Sequence, residues 1–230
     1  MNIVDHLLLD YVSEYQVMLD DFARPNVGEI MNKPPHNLSE IELTTRLYKF
    51  VQNQLLVIFR ETEICMPCFE ELLTIVSTVC KIPSYKLFSI HLPKELQMEI
   101  RLTPQGGEVW ESVFQPDWTK YCSHTISFGT AEEDEREWII EQPDLELLKA
   151  VIQIEKKYLM IKNDEIRIKP IRPWTATYWK TLPEVYQAYF IVVEDYSEEM
   201  LDDERAELNN HLLSWRRQWK VSNDGVLELT

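Results

Sequence analysis

The chain has 230 residues, 45% hydrophobic and 27% charged, a folded composition that excludes a disordered chain. Lys+Arg is 23 and Asp+Glu is 39, a formal net charge of -16, so phosphate is repelled on average and nonspecific nucleic-acid binding is disfavoured. This length fits one large domain or two small ones, and it can bury a core without disulfides.

The N-terminal run MNIVDHLLLDYVSEY lacks a basic start, and Asp5, Asp10 and Glu14 interrupt its apolar residues, which reads as an amphipathic helix and not a signal peptide. No stretch reaches the roughly 18 uninterrupted apolar residues of a membrane span. Val4, Leu8, Tyr11, Tyr15, Met18, Leu19 and Phe22 recur at helical spacing, so one helix is expected over 3–23, ended by Pro25. Ser39 with Glu42 forms a capping box, and Leu38 with Leu43 a hydrophobic staple, at the start of the next helix. The apolar run LLVIF (55–59) suits a buried strand. Pro67 opens a further helix with Glu70 and Glu71 in its first turn, where the helix dipole favours acids.

KLFSIHL (86–92) and MEIRL (98–102) read as strands. Thr103 caps and Pro104 begins a short helix running through Trp110 to Phe114. The acidic stretch GTAEEDERE (129–137) follows, and a domain boundary is placed before it. Asp144 caps a helix to about Tyr158. LMIK and EIRIK, joined by Asn163-Asp164, read as a hairpin. YQAYFIVVE (186–194) is apolar at both alternating sets of positions and reads as a central strand. Ser197 caps a last helix over 198–220, in which Leu201, Leu208, Leu212, Trp215 and Trp219 recur at helical steps. Asn223-Asp224-Gly225 forms a turn before VLEL.

Two stretches carry a family resemblance. LSEIELTTRLYKFVQNQLLVIF (38–59) resembles the helix-then-strand of winged-helix domains, and RLTPQGGEVWESVFQPDWTKY (101–121) resembles the strand-to-helix exit from their wing. The second is also similar to an LT-x-x-GG-x-x-WE pattern of uncharacterised bacterial proteins, with Asp117-Trp118 as its DW pair. The resemblance implies a winged-helix shape. It does not bring DNA binding with it, because the expected recognition helix offers only Arg46 and Lys49 against Glu40 and Glu42. Glycines at 106 and 107 would let neighbouring groups approach a helix closely, with a nearby Trp filling the space around them.

Cys65-Met66-Pro67-Cys68 follows an apolar run and precedes a helix, the layout of thioredoxin-like oxidoreductases, in which a helix N-terminus activates the first thiol. Its four acidic neighbours, Glu61, Glu63, Glu70 and Glu71, disfavour a thiolate. Cys80 lies on an apolar helix face, and Cys122 with His124 gives one Cys-x-His pair, short of a four-ligand zinc set. Sparse, irregular cysteines point to reduced thiols in a cytosol. No carboxylate is read as standing in an apolar run that would raise its pKa. Trp174, Tyr178, Trp179 and Tyr186, in the aromatic-rich segment 170–190, are the candidate partner surface, since Trp, Tyr and Arg are favoured at interface hot spots.

These readings combine into an α+β protein. Residues 1–128 form a helix-rich, winged-helix-like part, and 129–230 form a small antiparallel sheet packed by helices. The expected function is a non-catalytic cytoplasmic binding protein, of immunity or regulatory type, acting on a basic protein partner. It has no cofactor, no metal and no membrane association. The alternatives are a thiol-disulfide oxidoreductase using Cys65 and Cys68, and a winged-helix DNA-binding regulator.

Overall fold

Short capped helices and small antiparallel sheets make up the computed structural model, which describes residues 1–24, 27–81, 93–94, 97–128, 135–195, 203–222 and 226–230. The fold is mixed α+β. In chain order the elements are α1 (Ile3–Tyr11), β1 (Val17–Met18), α2 (Leu19–Phe22), α3 (Val27–Ile30), α4 (Glu40–Gln52), β2 (Leu56–Arg60), β3 (Glu63–Cys65), α5 (Phe69–Cys80), β4 (Met98–Leu102) and α6 (Pro104–Phe114). Then follow β5 (Ser123–Phe128), β6 (Arg136–Gln142), α7 (Leu145–Glu155), β7 (Leu159–Ile161), β8 (Arg167–Ile171), β9 (Trp174–Thr177), β10 (Lys180–Leu182), β11 (Val185–Asp195), α8 (Asp203–Leu213), β12 (Trp219–Val221) and β13 (Leu227–Leu229).

The contacts divide the chain into two units. Unit 1 is Met1–Phe114, Thr177–Lys180 and Gln218–Thr230; unit 2 is Gln115–Ala176 and Thr181–Arg217. The division falls after Phe114, ahead of the boundary expected at 129. Residues 129–134 lie outside the described residues and stand in sequence between β5 and β6, which pair antiparallel within unit 2.

In unit 1 the sheet order is β1-β4-β2-β3, every pairing antiparallel. LLVIF and MEIRL are strands, as expected, and supply its two central ones. Val17, Ile58 and Ile100 fall on its buried face. The capping box of α4 is present in full: Ser39 Oγ accepts from the Glu42 N–H, and the Glu42 carboxylate accepts from the Ser39 N–H at 3.0 Å. The helix expected over 3–23 is instead two helices with β1 between them. An Asn2/Asp5 capping box starts α1, and the chain leaves the helix after Tyr11 to pair Val17 with Ile100. Pairing with β4 outweighs the helical spacing of residues 15–18. At the other end of unit 1, β12 and β13 form an antiparallel pair, while the turn expected at 223–225 lies outside the described residues.

Unit 2 is built on β11, which pairs with β6 along one edge and with β8 and then β7 along the other. The central-strand reading of YQAYFIVVE therefore holds. The hairpin expected from LMIK and EIRIK does not form. Both segments run antiparallel to β11, end to end on the same edge, separated by a 3-10 turn at Lys162–Asp164 with Asn163 and Asp164 at positive φ. The Asn-Asp pair jogs one strand line instead of reversing it. One sheet face packs on α7 through Trp138, Ile140, Leu148, Val151 and Phe190, with Leu208 and Leu212 of α8 against the same core. The last helix is shorter than expected: the described part is α8, ending at Leu213. Trp215 lies buried in unit 2 beyond it, and Trp219 stands in β12 of unit 1. Ser197 and KLFSIHL lie outside the described residues.

The two helix glycines serve close approach. Thr103 Oγ1 caps α6, accepting from the Gly106 N–H at 3.0 Å. A Cβ at Gly106 would collide with the Leu55 carbonyl, whose carbon would lie at 2.9 Å, and one at Gly107 would enter the Trp179 ring. Backbone at Leu55 cannot yield as a side-chain tip can. Gly106→Ala is therefore expected to cost about 1–3 kcal/mol or more by overpacking, despite alanine's better helix propensity. Equilibrium urea unfolding checks this; an unchanged or higher stability would contradict the contact.

Candidate functional site

The most elaborate polar arrangement in unit 1 converges on Asp10, which is 0% exposed. It follows Leu7-Leu8-Leu9 and precedes Tyr11-Val12, all buried, so this carboxylate does stand in an apolar run. The expectation that none does is corrected here. Trp110 Nε1 donates to Asp10 Oδ1 at 2.8 Å and Trp219 Nε1 to Oδ2 at 2.9 Å. Ser13 Oγ donates to Oδ1 at 3.2 Å, and Lys33 Nζ lies 3.3 Å from Oδ2 while also donating to the Asp10 carbonyl. A buried charge needs such partners, because an isolated one is too costly to desolvate. Both Asp10 oxygens are thus occupied by donors of the same unit.

The same arrangement takes up part of the candidate partner surface. Trp179 Nε1 donates to the Ser13 carbonyl at 2.7 Å, and its ring meets Trp110 edge-on at 6.0 Å. Tyr178 Oη donates to the Val12 carbonyl and accepts from the Leu102 N–H at 2.7 Å; burial raises its phenol pKa above the ordinary value. In unit 2, Trp174 is 3% exposed and its indole donates to Glu141 Oε2 at 2.9 Å. Tyr186 packs against the sheet core. Trp174 is buried, while Tyr178, Trp179 and Tyr186 are half-buried, two of the four residues lying in each unit. Trp174, Tyr178 and Trp179 each place a polar tip on a group of their own unit.

Cys65 and Cys68 are both free, Cys65 half-buried and Cys68 exposed. Cys65 ends the edge strand β3, while Cys68 is the N-cap residue of α5. The helix begins at Phe69, two residues later than Pro67 suggests, so it is the second thiol that stands at its N-terminus. The strand ahead of the motif, β2, pairs antiparallel on both sides and belongs to no parallel βαβ unit.

Cys122 Sγ lies 3.2 Å from His124 Nε2. Burial and the charge of Glu155 push the Cys122 thiol up to about 12, and burial, with Arg205 nearby, lowers the His124 pKa. Both shifts favour neutral forms, the opposite of a thiolate–imidazolium pair. Among the described residues, no group of three His, Cys, Asp or Glu could hold a metal, and no helix is long and apolar enough to cross a membrane.

A groove of about 490 Å³ is bordered by the start of α1 and the outer side of α4, with Asp5, Ile41, Glu42, Thr45, Arg46 and Lys49 in its lining. Arg46 is paired to Asp5 and bonded to Asn2 Oδ1 at 3.2 Å. One of the two cations expected on a recognition helix is thus already neutralised.

Comparison of the chain with protein-family models, with curated proteins and with solved structures finds no match.

The thiols should separate by environment. In peptide-mapped iodoacetamide labelling between about pH 7 and 10, Cys68 is expected to react early by its exposure. Cys122 should react last, its rate still rising at the alkaline end because an ordinary thiol titrates near 8.5. Labelling of Cys122 as fast as Cys68 at pH 8 would contradict the raised thiol pKa of Cys122.

Proposed function

We propose that the chain is a non-catalytic cytoplasmic binding protein, of immunity or regulatory type, that engages a basic protein partner. The distribution of charge carries this reading. Most of the described lysines and arginines already sit within 4.0 Å of a carboxylate of the same chain, among them Arg24, Lys33, Arg46, Arg60, Lys120 and Arg205. The net charge of -16 is therefore carried by a surplus of acids. Exposed Glu63, Glu70 and Glu207 have no ion-pair partner among the described residues. A surface of this kind attracts cationic proteins and speeds their association. The neutral Cys122–His124 pair and the fully occupied Asp10 carboxylate fit a binder better than an enzyme.

The winged-helix-like reading of the N-terminal part belongs to the same proposal. It is supported by α4, which leads within four residues into the antiparallel hairpin β2–β3, with β4 and α6 following. Pairing of Arg46 with Asp5 turns such a shape away from DNA and toward protein.

Affinity capture on the immobilised chain from an extract of its source cell tests the proposal. At about 0.1 M salt a protein of high pI is expected, and its recovery should fall sharply at about 1 M, where the Debye length drops from about 10 Å to about 3 Å. Recovery of no protein at either salt would overturn the reading. Sequence-specific retardation of DNA at moderate salt would replace it with a winged-helix regulator.

A further inference from the structure

We propose that the outer edge of β5 is a self-association surface. Its occupant is the β5 of a second copy of this chain, paired antiparallel so that two unit 2 sheets join into one. β5 (Ser123–Phe128) stands at one end of the unit 2 sheet and, among the described residues, pairs with β6 alone. Its other side is an open row of main-chain donors and acceptors, along which Thr125, Ile126 and Ser127 are all exposed. An open strand edge is a template for another strand, so proteins shorten it, charge it, kink it or place proline in it.

β5 carries none of these guards, and the other described edges do. In unit 1, β1 has two residues and β3 has three, Glu63 among them. On the far edge of the unit 2 sheet, β7 has three residues and β8 carries Arg167, Lys169 and Pro170. The strands of the two small pairs have four residues or fewer. β5 has six, SHTISF, with no Asp, Glu, Lys, Arg or Pro, and it pairs with β6 without a register shift.

The chemistry of the strand selects a second copy. The register sets Ile126 opposite Trp138 on the core face, and Thr125 and Ser127 opposite Ile139 and Glu137 on the outward face. A two-fold axis normal to the sheet joins like faces, so the contact must be self-complementary. About Ile126 it is: the two Ile126 side chains, each 42% exposed alone, meet on the core face, and Thr125 meets Ser127 of the second copy on the other. Aliphatic and hydroxyl pairs of this kind stabilise strand pairing. The net charge of -16 opposes self-association, but β5 brings no acid to the contact. Glu137 of β6 would stand three strand spacings from its counterpart, about 14 Å, beyond the screening length of about 10 Å at 0.1 M salt. A basic segment, by contrast, finds no acid on β5, and Glu137 already accepts from the Ser127 and Tyr189 hydroxyls.

Strands this short span about 20 Å, a small contact beside the roughly 800 Å² per partner of a stable interface, so the dimer depends on concentration. Sedimentation equilibrium of the full chain should show monomer at about 1 μM and dimer by about 300 μM. Thr125→Lys and Ile126→Lys place a charge on the edge and should each weaken the dimer about tenfold or more. Ile168→Lys, at an exposed residue of β8, should leave it unchanged. Circular dichroism of each variant confirms its fold. Raising salt from about 0.1 M to about 0.5 M should leave the dimer as strong or stronger, the reverse of the response expected for a basic partner. A chain still monomeric at about 300 μM, a dimer unaffected by both β5 substitutions, or a dimer that dissociates as salt rises would each overturn the proposal. Loss of a captured basic partner on Thr125→Lys, with the chain monomeric throughout, would overturn it too and give the edge to that partner.

Discussion

A carboxylate with no access to water must be answered inside the protein, and unit 1 is arranged to answer Asp10. Its donors come from Ser13, one turn along the chain, and from Lys33, Trp110 in α6 and Trp219 in β12. Each hydrogen bond to a charged group contributes about 1.5–3 kcal/mol, and removing a partner from such a set costs about 3–5 kcal/mol because the remaining polar groups stay buried. Asp10 and Trp219 stand 209 residues apart. Closing that contact fixes where α1, α6 and the C-terminal hairpin lie within the unit.

The tryptophans follow from this requirement. Trp110 bonds Asp10, stacks on Phe114 at 5.0 Å and receives Trp179 edge-on. Trp179 occupies the space that a side chain at position 107 would take, and Tyr178 bridges Val12 to Leu102. The glycine pair, the indoles and the phenol are thus one packing solution. Within unit 2, Tyr121 stands 4.7 Å from Trp215 and 6.0 Å from Trp174.

Features encoded within a few residues were legible in the sequence. Ser39 with Glu42, Asp144, and Thr103-Pro104 all begin helices where their chemistry says they should. LLVIF and YQAYFIVVE, apolar at both alternating sets of positions, became central strands, and so did MEIRL, which alternates and buries only Met98, Ile100 and Leu102. Features set by distant partners were not legible. Tyr15 and Met18 keep helical spacing with Tyr11, yet Val17 leaves the helix for β4. Trp215 and Trp219 keep it as well, yet neither is helical. Asn163-Asp164 has turn chemistry, but both flanking strands find the same edge of β11. Asp10 did leave a local trace, an acid inside LLLDYV, which reads as a surface residue only if α1 is assumed to have a wet face.

The account places indoles and a buried acid in the framework and the surplus acids outside it. Its central claim is that Asp10 is held by Trp110 and Trp219 within a closed core. Proton NMR of the indole Nε1–H groups, assigned with Trp110→Phe and Trp219→Phe, tests this directly. The account predicts two indole protons that persist in deuterated buffer and exchange only on global unfolding. Exchange of both within the dead time of mixing would show that the indoles reach solvent, and would contradict it.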